Sequence, residues 1–143
     1  AQVVLVVHRD RRGTIVSLEA FLRQGSRLGI VTGYDYGVQR AVVQDPVFAA
    51  QIEAVSNPLM NLRKLALQRI DGTIGDRFVL LASALKIGTR AQMQVGKILS
   101  EEPTYILFSK ASVPAAFVAR FNGVLADLQS NGGLQAIFKK YTQ

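Results

Sequence analysis

Ten residues constrain the fold of this chain more than any others: Leu28-Gly29-Ile30-Val31-Thr32-Gly33-Tyr34-Asp35-Tyr36-Gly37. A short apolar run passes into a polar-aromatic turn bounded by glycines. Val38-Gln39-Arg40-Ala41-Val42-Val43 can then continue as a helix. Strand, tight turn and helix in that order point backbone N–H groups at a bound anion. In open α/β sheets, ligands sit on such turns at the carboxyl ends of strands. The stretch is therefore expected to form half of a small-molecule binding site.

The other segments alternate around it. Val3 to Val7 is a continuous β-branched and leucine run, which reads as a buried or connecting strand. Asp10 to Gly13 is a polar loop. Ser17 can cap a short helix, Leu18 to Leu22, that Gly25 ends. The helix after Gly37 must stop before Asp45-Pro46, because the residue before a proline avoids helical dihedrals. Val47 to Ala50 is ambiguous, and Ile52 to Val55 is a short strand. Asn57-Pro58 starts a helix, since asparagine caps and proline suits the first helical position. Ile70 to Gly75 contains a brief strand, and Asp76 is placed to cap the next helix, whose apolar face is Phe78, Leu81, Ala82 and Leu85. Met93 to Leu99 and Tyr105 to Ser109 read as strands, separated by a turn at Ser100-Glu101-Glu102-Pro103. From Val113 on the pattern is helical, with Phe117, Phe121, Val124, Leu125 and Leu128 on one face. Asn131-Gly132-Gly133 breaks it before a second stripe of Leu134, Ile137, Phe138 and Tyr141. Alternating strands and helices predict an α/β three-layer sandwich with a mainly parallel sheet, followed by two C-terminal helices.

Composition narrows the function. A chain of 143 residues, 49% hydrophobic and 19% charged, can bury the core of one domain and is not a disordered segment. No apolar run approaches the roughly 18 residues of a membrane span. Ala1 to Val7 lacks the basic start and cleavage site of a signal peptide. With no cysteine, disulfides, thiolate metal sites and a cysteine nucleophile are excluded. The net charge of +7 invites a nucleic-acid reading, but it is spread out: +3 over residues 1–27, +1 over 28–104 and +3 over 105–143. Nucleic-acid binders gather charge on one face, so no nucleic-acid partner is expected. Arg9, Arg11 and Arg12 read as a solvated loop rather than a phosphate site.

In this order the segments resemble the C-terminal part of the family 3 extracellular solute-binding proteins. These are type II periplasmic binding proteins that serve ABC importers of amino acids and related polar solutes. Ser17-Leu18-Glu19-Ala20-Phe21 followed by Arg27 to Gly33 is similar to the start of the family's second lobe. Leu65 to Gly72 followed by Asp76 is similar to its leucine…arginine-isoleucine-aspartate…aspartate segment. Tyr105 to Lys110 resembles the return strand through the hinge. Arg120-Phe121-Asn122 with Leu125, Leu128, Gly132, Ile137 and Lys140-Tyr141 resembles the terminal helices. The resemblance implies a hinge strand at residues 1–9, the second lobe at 10–104, and a return strand with first-lobe helices at 105–143. The rest of the first lobe would lie outside these residues. The Phe117 and Leu134 faces would then lack an intramolecular cover, and bare apolar surface of that kind finds another surface. A paired or domain-swapped homodimer is one expected outcome.

The resemblance also implies site roles. Gly33, Tyr34, Asp35, Tyr36 and Gly37 occupy the turn that offers N–H groups to a ligand carboxylate, aided by the positive end of the following helix. Tyr34 stands where many amino-acid binders have Thr or Ser, so Tyr34 and Tyr36 could stack on a larger solute. Read without the resemblance, the same residues make an ordinary turn with surface tyrosines, and Asp35 is a turn former. Asp76 matches the position that accepts a ligand ammonium, and it can also simply cap its helix. Arg77 reads as a surface residue. No enzyme is expected, and no cofactor or metal: the sole histidine, His8, ends a strand without a paired acid, and no phosphate loop or nucleophile elbow is present. Dehydratases of this fold would need acids on both lobes. The implied role is capture of a small polar solute in the periplasm or another extracytoplasmic space, and delivery to a membrane permease. A rival is a ligand-sensing regulatory domain of the same fold, such as a transcription-factor effector domain or a sensor-kinase input.

Overall fold

The β-branched run near the start becomes β1 (Gln2–His8), and it is paired on both sides. A computed structural model describes residues 1–142 and places β1 in a five-stranded sheet of order β3-β2-β4-β1-β5. The other strands are β2 (Leu28–Val31), β3 (Ile52–Val55), β4 (Gly72–Asp76) and β5 (Met93–Glu101). β2 runs parallel to both β3 and β4, whereas β1 is antiparallel to β4 and β5. Four strands therefore point one way, with β1 inserted against them.

Side-chain alternation along β1 builds both faces of the sheet. Val4 and Val6 pack with Leu62 and Leu65 of α3 (Pro58–Ala66) and with Leu80 and Ala84 of α4 (Arg77–Lys86). Leu5 and Val7 point the other way, to Leu18, Phe21 and Leu22 of α1 (Leu18–Arg23) and to Phe48. The three layers expected from the alternating segments are present. The caps also form where expected: Ser17 Oγ accepts from the Ala20 amide at 3.0 Å, and Asn57 Oδ1 from the Leu59 amide at 2.8 Å with Pro58 at the first turn. The ambiguous Val47 to Ala50 lies in a 3-10 helix, Pro46–Gln51, capped by Asp45.

Two expectations need correction. The helix predicted after Gly37 is a 3-10 turn, Gly37–Gln39, followed by a single helical turn, α2 (Arg40–Val43). The Asp45-Pro46 stop falls too soon for more. The strand predicted at Tyr105 to Ser109 does not form. β5 runs on through Ser100 and Glu101 to pair with Val3 and Gln2, so the segment predicted as a turn is part of the ladder. β1 then has no edge left to offer, and Tyr105, Ile106 and Leu107 are exposed.

The chain divides into two units, Ala1–Glu102 and the residues from Pro103 onward. The second contains α5 (Ala115–Ser130) and α6 (Gly133–Thr142). Gly132, at φ +77°, ends the first, and Asn131 Oδ1 accepts from the Gly133 amide at 2.8 Å to start the next. Phe108 meets Phe117 and Phe121 edge to face, with ring centroids 5.8 and 5.2 Å apart. No residue from 103 to 141 is buried. Among the described residues no helix is long and apolar enough to cross a membrane.

Candidate functional site

The β2–β4 ladder begins at Leu28↔Gly72, ends at Gly29↔Thr73 and goes no further. Beyond it the two strands part, and a cavity of 170 Å³ opens at their carboxyl ends. Val31 and Ile74, Gly75 and Asp76 line it from the strands; Tyr34, Asp35 and Tyr36 line it from the turn; Pro58, Val79 and Leu80 close it from the helices. Four of the six residues singled out in the sequence meet here. Gly33 instead lines a wider groove of 420 Å³ on the other side of the turn, with Tyr34, Asp35, Tyr36 and Arg40. Gly37 lines neither.

Tyr36 holds the gap open. Its ring is buried, and its hydroxyl accepts from the Val31 amide at 2.7 Å and donates to the Val31 carbonyl at 3.3 Å. The phenol thereby satisfies the backbone of β2 where the ladder has stopped, as buried amides require. Burial pushes its pKa above the ordinary tyrosine value of 10.0; the Val31 hydrogen bond partly opposes this and Tyr34 adds to it. The Tyr34 ring is half exposed, 6.4 Å from that of Tyr36 and tilted by 39°.

The turn has a defined backbone. Gly33 has φ +79° and Gly37 φ +52°, the left-handed region that glycine enters without strain. The Tyr34 amide donates to the Val31 carbonyl at 3.3 Å, and the Gly37 amide to Asp35 Oδ1 at 3.0 Å. The amides of Gly33, Asp35 and Tyr36 have no acceptor among the described residues. The anion cradle expected from the sequence is therefore reduced: two amides are engaged inside the turn, and the one-turn α2 carries little dipole. Asp35 is the turn former anticipated for it.

Asp76 is the cap of α4. Its Oδ1 accepts from the Phe78 amide at 2.9 Å and the Val79 amide at 3.0 Å, and its carboxylate also lines the cavity. The second oxygen, Oδ2, has no partner among the described residues, so capping leaves one oxygen for other chemistry. Arg77 does not line the cavity; its guanidinium donates to Gln2 Oε1 at 3.3 Å.

Glu102 is the residue that sequence reasoning missed. Its carboxylate lies over the turn, where any side chain at Gly37 would collide with it, and it lines the cavity. Its backbone extends the β1–β5 pairing through two bonds with Ala1. The only signal for it was a carboxylate just before a proline, in a segment read as a turn. Elsewhere, His8 does have an acid neighbour: Asp10 lies 3.5 Å from its Nδ1, and the Asp10 amide donates to that nitrogen, which is loop structure. Arg11 is engaged with Gln24, Ser26 and the Phe21 ring, so the 360 Å³ groove it shares with β5 holds no free guanidinium.

No protein-family model matches the chain, and no curated protein matches it by sequence. Solved structures do match. An ancestral arginine-binding protein bound to arginine superposes with TM-score 0.64 at 22% identity, over 100% of this chain and 61% of that one. Substrate-binding domain 2 of Lactococcus lactis GlnP, in open conformation, gives 0.71 at 18% identity, over 99% and 58%. A histidine kinase sensor domain with similarity to periplasmic binding proteins gives 0.56 at 17%, over 98% and 59%. The chain thus spans about three-fifths of the length of these neighbours. These likenesses show the fold: a mixed α/β lobe of the type II periplasmic-binding-protein kind.

Proposed function

We propose that this chain is the ligand-holding lobe of a solute-binding protein that feeds an ABC importer from outside the cytoplasm. The observation that carries the reading is the cavity where the β2–β4 ladder parts, at the carboxyl ends of the strands, the place where open α/β sheets take ligands. The structural neighbours, among them an arginine-binding protein and a transporter's substrate-binding domain, support it. A small polar solute, an amino acid being one class, would rest on Tyr34, Asp35, Tyr36 and Asp76. Gly33 and Gly37 would shape the turn, and the amides of Gly33, Asp35 and Tyr36 would be available to an acceptor. The proposed role is binding rather than catalysis, in keeping with neighbours named as an arginine-binding protein and a substrate-binding domain.

The rest of the first lobe, outside these residues, would close on the cavity about residues 1–9 and the segment after β5, and the closed pair would dock on a permease. In the absence of that lobe, the exposed Phe117 face of α5 would pair two copies of this chain. Sedimentation should then show a concentration-dependent dimer that Phe117→Glu abolishes. Binding is tested by a thermal-shift screen of amino acids and small carboxylates. If Asp76→Ala leaves the tightest hit unaffected, the site assignment fails. The similarity to a histidine kinase sensor domain favours one alternative, a sensing domain of the same fold. A signalling or DNA-binding segment in the same reading frame would decide for it.

A further inference from the structure

We infer that Asn61 and Thr73, neither of which lines the cavity, are positioning residues that keep its two strands apart before any ligand arrives. The inference rests on reading this cavity as the ligand site. Past Gly29 the β2–β4 ladder stops, yet the carbonyls of β2 are not left bare. Three in a row accept from side chains of three different elements. Thr73 Oγ1, on β4, donates to the Gly29 carbonyl at 2.8 Å. Asn61 Nδ2, on α3, donates to the Ile30 carbonyl at 3.0 Å. The Tyr36 hydroxyl, on the turn, donates to the Val31 carbonyl at 3.3 Å. Side chains thus hold the end of β2 where pairing with β4 has stopped.

Asn61 is costly where it stands. It lies in the middle of α3, where asparagine is a poorer helix former than leucine. Its side chain is fully buried, and Oδ1 has no partner among the described residues. A buried acceptor without a donor destabilises a fold. β2 also goes without a side chain to admit it, because a Cβ at Gly29 would lie 2.5 Å from that oxygen. The neighbouring Leu62 and Leu65 face an apolar layer, which a leucine at 61 would match. What asparagine adds is the bond to Ile30. That bond fixes the residue before Val31, which lines the cavity and engages Tyr36 through both its amide and its carbonyl. Thr73, equally buried, fixes the residue before that. Breaking a local rule in this way is characteristic of residues that serve a site.

The test uses the 143-residue chain without ligand. Asn61→Leu removes one unpartnered acceptor and leaves another, the Ile30 carbonyl, so its urea midpoint should stay close to the parent's. Amide hydrogen exchange at Val31, Tyr34 and Gly37 should nevertheless become at least roughly tenfold faster, while Val4 and Val6 in β1 keep their rates. Thr73→Val should give the same local signature, and Thr73→Ser, which keeps the hydroxyl, should restore the parent's rates. Unchanged rates at the three amides, a uniform acceleration across the sheet, or a Thr73→Ser chain as fast as Thr73→Val would overturn the inference. If Asn61→Leu fails to fold, the Thr73 pair decides. Faster exchange at these amides with no hit in the thermal-shift screen removes the ligand reading alone. A hit with unchanged exchange removes this inference alone.

Discussion

Replacing Tyr36 with Phe removes one oxygen and strips two backbone groups of their partner. The Val31 N–H loses a 2.7 Å acceptor and the Val31 carbonyl a 3.3 Å donor, both in a buried setting. Leaving a buried polar group unsatisfied costs about 1–3 kcal/mol. Since the ring itself stays, Tyr36→Phe should destabilise the α/β unit by about 2 kcal/mol at pH 7, moving a urea midpoint by roughly 1 M. The pH dependence is the sharper check. Burial raises the folded-state pKa of Tyr36 above 10.0, so the folded form holds this proton longer than the unfolded chain. That contribution is fully present below the unfolded value and is lost as pH rises from 10.0 toward the folded value. The Phe variant has no such loss, and the other titrations are common to both proteins. Urea unfolding of the pair at pH 7, 9 and 10.5 should show a constant gap up to about pH 9 that narrows above it. A variant as stable as the parent at pH 7, or a gap that stays constant to pH 10.5, would refute the role given to this phenol.

Three further outcomes follow from the packing. Asp76→Ala should lose about 1 kcal/mol of stability through the cap of α4, while Asp76→Asn should stay near the parent, as thermal melts can show. Gly29→Ala should destabilise by about 1–3 kcal/mol, because its Cβ would lie 2.5 Å from Asn61 Oδ1 and 2.6 Å from Ile70 Cδ1 in the buried layer under α3. Leu62→Ala, at a fully buried contact of α3 with β1, should cost about 2–5 kcal/mol by denaturant unfolding.

The segments that the sequence made legible are those with a local cause. Ser17, Asn57 and Asp76 start helices because their side-chain oxygens reach amides two or three residues on, a short-range geometry. The run Val3–Val7 read as a buried or connecting strand, and the structure buries it on both faces. Tyr34, Asp35, Tyr36 and Asp76 were singled out as site residues, and they line one cavity. The errors lie where a distant partner decides. Tyr105 to Ser109 has strand composition, but β5 had already taken the free edge of β1.

The amino-acid order alone determined the alternation of strands and helices, their caps, and the strand–turn that lines the cavity, because each depends on neighbours within a few residues. Tertiary structure alone decided that β2 and β4 part after two paired residues, that a tyrosine hydroxyl replaces the lost ladder bonds, and that Glu102 comes to rest over Gly37. Residues more than sixty positions apart meet there only through strand order, which no local pattern encodes.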